Sequence, residues 1–135
     1  MISAHDFLNH AKDIYNRFDV DGSVHDNIEM EYRSCARVAY YALYHLLRDI
    51  SDTLPGEGIG FGSHEKIENK LCMSKNQDYI YLATQMNSSK KGRVRADYHL
   101  DAEFGKNEAN RILNKVERVF ARVEKMNENS NKQES

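Results

Sequence analysis

The chain has 135 residues, 40% of them apolar and 30% charged, with a formal net charge of -2. That balance describes one globular domain, large enough to bury about two-thirds of the surface its unfolded chain exposes, and excludes a disordered chain or a strongly basic nucleic-acid coat. Any contact with nucleic acid must come from a local patch.

Ser3 with Asp6 is a capping-box pattern, and Phe7, Ala11, Ile14, Tyr15 and Phe18 recur at helical spacing, which predicts a first helix with one apolar face. Asp19-Val20-Asp21-Gly22 reads as the turn that ends it, because the later ligands of a calcium loop are missing. Ser23 with Asp26 is a second capping box. The helix behind it carries the strongest stripe in the chain: Ile28, Tyr32, Cys35, Ala36, Ala39, Leu43, Leu46, Leu47 and Ile50. A different face of the same helix holds Arg33, Arg37, Tyr41, Tyr44 and Arg48. Cations interleaved with phenols suit phosphates and bases, and they equally suit a protein interface.

Leu54-Pro55-Gly56 stops this helix. Gly56, Gly58, Gly60 and Gly62 then alternate through a loop with no strand before it, which reads as a mobile linker and not a phosphate cradle. Ser63 is the expected cap of a third helix, with Glu65 in its first turn and Ile67 and Leu71 as a narrow apolar edge. After a short turn, Tyr79, Leu82, Ala83 and Met86 mark a fourth helix. Gly92 and Gly105 suggest a partly irregular stretch between them. Ala109, Ile112, Leu113, Val116, Val119, Phe120 and Val123 are the apolar face of the last helix. The domain is expected to span 1–126, with a polar, disordered tail at 127–135. No segment alternates long enough for a strand, so the fold class is all-α, an antiparallel bundle of four to five helices.

Cys35 and Cys72 sit at apolar helical positions, as buried free thiols of a reducing compartment would. The N-terminal residues show no secretory pattern, and no apolar run approaches the roughly 18 residues that span a bilayer. The expectation is a cytoplasmic protein with no membrane contact. No histidine or cysteine spacing fits a metal site, and no cofactor motif is present.

One stretch stands out chemically. Residues 90–100 read Lys-Lys-Gly-Arg-Val-Arg-Ala-Asp-Tyr-His-Leu. An arginine can neutralise a phosphate and a histidine can move protons near neutral pH, so Arg93 and His99 are the candidate catalytic pair for a phosphodiester. Lys90, Lys91, Arg33 and Arg37 are candidate phosphate contacts. Asp97 could orient His99 or neutralise an arginine, and Tyr98 packs with its hydroxyl at the rim. In a continuous helix, positions six apart lie about 120° from alignment. Arg93 therefore meets His99 only if the chain bends or the pair forms across a dimer. Arg95, four residues from His99, is the substitute if the helix is unbroken. His64 is read as a helix-start residue.

These motifs together resemble the small HEPN-domain proteins of bacteria and archaea. Ser34-Cys35-Ala36-Arg37-Val38-Ala39-Tyr40-Tyr41-Ala42 is similar to that family's S-x-x-R-x-A-Y-Y-A run. Gly62-Ser63-His64 is similar to its small-residue-then-His opening of the next helix, and Arg93-Val94-Arg95-Ala96-Asp97-Tyr98 to its R-x-x-A-D-Y element. The resemblance implies a helical bundle that dimerises. It also implies a metal-independent endoribonuclease whose arginine and histidine are separated by four to six residues. Arg93 and His99, with five residues between them, meet that spacing. It further implies a toxin or phage-defence role, with RNA as substrate and a nucleotidyltransferase-like antitoxin as partner. The alternative is a non-catalytic HEPN module that binds nucleotide, RNA or a partner protein. Val94 and Asp101 depart from the polar residue and the tyrosine that many nuclease members carry at those places.

Overall fold

A computed structural model describes residues 1–18 and 28–134. It contains α1 (Ala4–Asn16), α2 (Ile28–Asp52), α3 (Ser63–Met73), α4 (Gln77–Tyr98) and α5 (Lys106–Glu134), and no strand occurs among the described residues. The chain is an all-α bundle. The turn expected at 19–22 and the capping box of Ser23 and Asp26 lie outside the described residues.

The helices start and stop for local reasons. Ser3 caps α1 through a reciprocal box: its Oγ accepts from the Asp6 N–H at 3.3 Å, and its own N–H donates to Asp6 Oδ2 at 2.7 Å. Asn76 caps α4, accepting from the Asp78 N–H at 2.8 Å. The cap of α3 is Gly62 and not Ser63, which is already the first helical residue.

α2 is the centre of the bundle and packs against all four other helices. Its predicted stripe is the core: Cys35, Ala36, Ala39, Leu43 and Leu47 are fully buried, with Tyr32, Leu46 and Ile50 packed at the margin. Burying a leucine such as Leu43 contributes about 1.5–3 kcal/mol. The apolar face of α5 is likewise buried from Ala109 to Val123. Among the described residues, no helix is long and apolar enough to cross a membrane.

Two sequence expectations are corrected and one is narrowed. Between Gly92 and Gly105 the irregular part is 99–105, while Gly92 itself lies in regular helix, because α4 runs unbroken to Tyr98. A Cβ on Gly92 would lie 2.5 Å from Ile112 Cδ1, so the glycine permits a close α4–α5 crossing and breaks nothing. The tail expected from 127 is helical, since α5 continues to Glu134. No Gly or Pro interrupts that stretch, and each added residue extends an existing hydrogen-bond ladder. Only one of the two thiols is buried: Cys35 is in the core and Cys72 is exposed.

Candidate functional site

Two arginines define the end of α4, in opposite ways. Arg33 of α2 is 4% exposed and turns inward. Its Nη1 donates to the carbonyls of Arg95, Ala96 (2.8 Å) and His99, and its Nη2 to those of His99 and Ala102 (2.7 Å). The Ala96 carbonyl is one that the helix C-terminus leaves without a backbone partner, whereas those of Arg95 and His99 also accept from the His99 and Ala102 N–H groups, and a cation there suits the helix dipole. Glu29 completes the clamp. It accepts from Arg33 at 2.9 Å and from the Phe104 N–H at 3.1 Å, and these bonds hold its carboxyl below the usual range. Arg33 is therefore a packing element. Its expected role as a phosphate contact is corrected, because the guanidinium is buried and occupied with backbone carbonyls.

Arg93 faces the other side of α4. Its side chain is 11% exposed. The guanidinium lies 5.4 Å from the Tyr40 ring centre and 5.8 Å from that of Tyr98. Asp97, one turn on, accepts from Arg93 Nη1 at 3.2 Å with one oxygen and from Arg37 Nε at 2.7 Å with the other. Arg93 Nε is buried and has no hydrogen-bond partner. Burial works against the charge of Arg93, but Asp97, Tyr41 and Tyr98 outweigh it and keep its pKa above the ordinary value. The group stays cationic.

Tyr40 joins this arginine to an imidazole. It is fully buried, and its hydroxyl is hydrogen-bonded to His64 Nδ1. The His64 ring stacks on Tyr40 at 5.5 Å and leans on Tyr44 at 4.6 Å. Burial raises the Tyr40 pKa, with Arg93 opposing, so the phenol keeps its proton. Burial, Lys90 and Arg93 push His64 below its ordinary value, which favours the neutral ring. The ring's other nitrogen, Nε2, has no hydrogen-bond partner among the described residues, while Nδ1 is held by Tyr40.

One turn further along α3 is Glu68. Its Oε1 is buried without a partner. Burial raises its pKa, with Lys90 and the Asn87 amide opposing. Tyr40, His64, Glu68, Lys90 and Arg93 thus form one side-chain cluster (hereafter the cleft) where α2, α3 and α4 meet. It holds an imidazole that favours its neutral form, a carboxyl that resists ionisation, and two cations.

The predicted residues divide on either side of this cleft. Arg93, Asp97, Arg37 and Lys90 belong to it. Lys91 is exposed on the outer side of α4, and Arg95 is exposed and donates to the Glu103 carbonyl at 3.2 Å. His99 is the exposed C-cap of α4, with backbone bonds to Arg95 and Arg33. Because α4 is continuous through Tyr98, Arg93 and His99 leave the helix on different sides, and among the described residues no hydrogen bond joins their side chains. The imidazole near Arg93 is His64. Sequence reasoning took His64 as a helix-start residue, placed Tyr40 within the family-like run of α2, and did not weigh Glu68. The available signal was periodicity: His64 and Glu68 are four apart, as are Arg93 and Asp97, so each pair shares a helix face.

Among the described residues, no group of three or more His, Cys, Asp or Glu is arranged to hold a metal ion. No family model, curated protein or solved structure matches this chain.

Proposed function

We propose that this protein is a metal-independent, HEPN-type endoribonuclease whose active cleft is built on Arg93 and His64. The observation that carries it is the chain of contacts from Arg93, which has an unpartnered buried Nε, across the Tyr40 ring to His64. Cutting RNA without a metal needs a base for the 2′-hydroxyl, an acid for the leaving 5′-oxygen and a cation for the charge that builds on phosphorus. The His64 tautomer that can act as base carries its proton on Nδ1, donating it to the Tyr40 oxygen, and Nε2 then takes the 2′-hydroxyl proton. The 2′-oxygen then bonds to phosphorus, the bond to the 5′-oxygen breaks, and Glu68 protonates the departing oxygen. Arg93 and Lys90 hold the phosphate. The products are a 2′,3′-cyclic phosphate and a 5′-hydroxyl.

Cleavage is expected to continue in EDTA and to spare DNA, which lacks the nucleophile. His64→Ala and Arg93→Ala should each lower the rate about 100-fold or more. The rate should rise as pH climbs through the depressed His64 pKa, because the base must be neutral. It should fall above the raised Glu68 pKa, because the acid must be protonated. Glu68→Gln should abolish that second limb. If His99→Ala kills activity while His64→Ala does not, the pair is instead Arg93 with His99 across a dimer.

A homodimer and a toxin or phage-defence role belong to the same proposal. Exposed Tyr98 and Leu100 at the end of α4 support the dimer, which sedimentation tests. A second reading, a non-catalytic RNA-binding module, is favoured by the way Asp97 neutralises both Arg37 and Arg93. Binding without cleavage in every RNA pool, with a wild type no more toxic than His64→Ala, would select it.

A further inference from the structure

The loop that leads into α3 ends in a side chain whose exposure nothing in the fold explains. Phe61 is 104% exposed and Ile59 73% exposed. A flexible loop would scatter such side chains, but this loop is tied down. Asn69 Nδ2 donates to the Ile59 carbonyl, and the Phe61 N–H donates to Glu65 Oε2 at 3.3 Å. A Cβ on Gly58 would fall 2.1 Å from the Lys66 carbonyl oxygen, so the loop lies directly on the α3 backbone. The loop read from the glycines as a mobile linker thus has a braced backbone, and it carries a fully exposed aromatic ring on that backbone. The loop lies next to the cleft. Phe61 is three residues before His64, so their Cα atoms are at most about 11 Å apart.

We propose that Phe61 is a stacking platform for a base of single-stranded RNA whose phosphate lies on Arg93 and Lys90. This rests on the ribonuclease reading of the cleft and adds the substrate class. Three points favour a base as occupant. The neighbouring cations Lys90, Arg93 and Arg37 match a phosphate backbone. Only a single strand offers an unpaired base face. The backbone that carries the ring is already braced, so stacking has only the ring's own two side-chain torsions to order. A duplex keeps its bases stacked inside and gains nothing from Phe61.

The chain contains no tryptophan, so Phe61→Trp introduces a single indole reporter and preserves the platform. The probe is a 2′-O-methyl single-stranded oligoribonucleotide, which cannot be cleaved because its nucleophile is blocked. Titration should quench the indole, and the same sequence as a duplex should leave it unchanged. Phe61→Ala should weaken single-strand binding about 5- to 100-fold, the range for one stacked base. It should leave the salt dependence unaltered, since no charge is lost, whereas Lys90→Ala should make that dependence shallower. If wild type binds the oligomer but Phe61→Ala binds equally and the indole does not respond, the platform is refuted and the cleft reading survives. Equal quenching by duplex refutes it too. Absence of any RNA binding by wild type removes both. If Phe61→Ala instead turns a dimer into a monomer in sedimentation, the ring is a self-contact and the proposal is wrong.

Discussion

Arg33 and Arg93 show how one residue type serves two ends. Both lie at α4 and both are largely buried. Arg33 has an oxygen in front of each donating nitrogen, which is what a structural cation needs. Arg93 spends part of its charge on Asp97 and keeps Nε without a partner. A buried donor left unmade costs about 1–3 kcal/mol, a cost that Arg93 bears and Arg33 does not. Arg33→Met tests the first assignment. It keeps the stem and removes the donors, leaving the Ala96 and Ala102 carbonyls unpaired. The variant should lose about 3 kcal/mol of stability in urea unfolding. A loss below about 1 kcal/mol would mean that water replaces the clamp, and that Arg33 is not what fixes the end of α4.

At the level of elements, legibility followed the clarity of the helical period. α2 was readable because its stripe is continuous and its opposite face polar. α1 was readable because its box is local, with both partners three residues apart. α4 was harder, since it is gripped by three other helices and mixes cations with apolar residues along its length. Its glycine looked like a break because only a residue on α5 explains it. The candidate site was half legible for the same reason. Arg93 and Asp97 are neighbours in one helix, but Tyr40 and His64 are 24 residues apart and Arg33 meets carbonyls 62 to 69 residues away. No spacing rule within a helix reaches such pairs. Gly92→Ala probes the crossing that sequence could not show. Helix propensity alone would make alanine better by about 1 kcal/mol. The Cβ, however, would fall 2.5 Å from Cδ1 and 2.9 Å from Cγ1 of Ile112, a buried and stiff side chain. The single variant should therefore lose about 1 kcal/mol net, as overpacking does. Adding Ile112→Val removes Cδ1 and should recover part of it. Simple additivity of the two changes would show that α4 and α5 do not touch there.

On the scale of the whole molecule, the two thiols report whether the bundle opens as a unit. Cys35 is fully buried, with Sγ 3.5 Å from the Ala11 carbonyl of α1, and burial pushes its pKa up to about 12. The nucleophile is the thiolate, so at pH 8 this thiol is both covered and almost wholly protonated. Cys72 is exposed at the end of α3. Iodoacetamide should therefore modify Cys72 at an ordinary rate and Cys35 only through opening. If α1 leaves only when the core melts, the opening free energy equals that of global unfolding, about 5 kcal/mol or more for a domain of this kind. Cys35 should then be protected about a thousand-fold or more relative to Cys72. Destabilising the clamp between α2 and the end of α4 with Arg33→Met should erode that protection by the same free energy that urea unfolding measures. Suppose instead that Cys35 reacts within tenfold of Cys72, or that Arg33→Met lowers global stability and leaves Cys35 protection unchanged. Then α1 opens on its own, and the bundle has one helix that is docked onto a smaller cooperative core of α2 to α5.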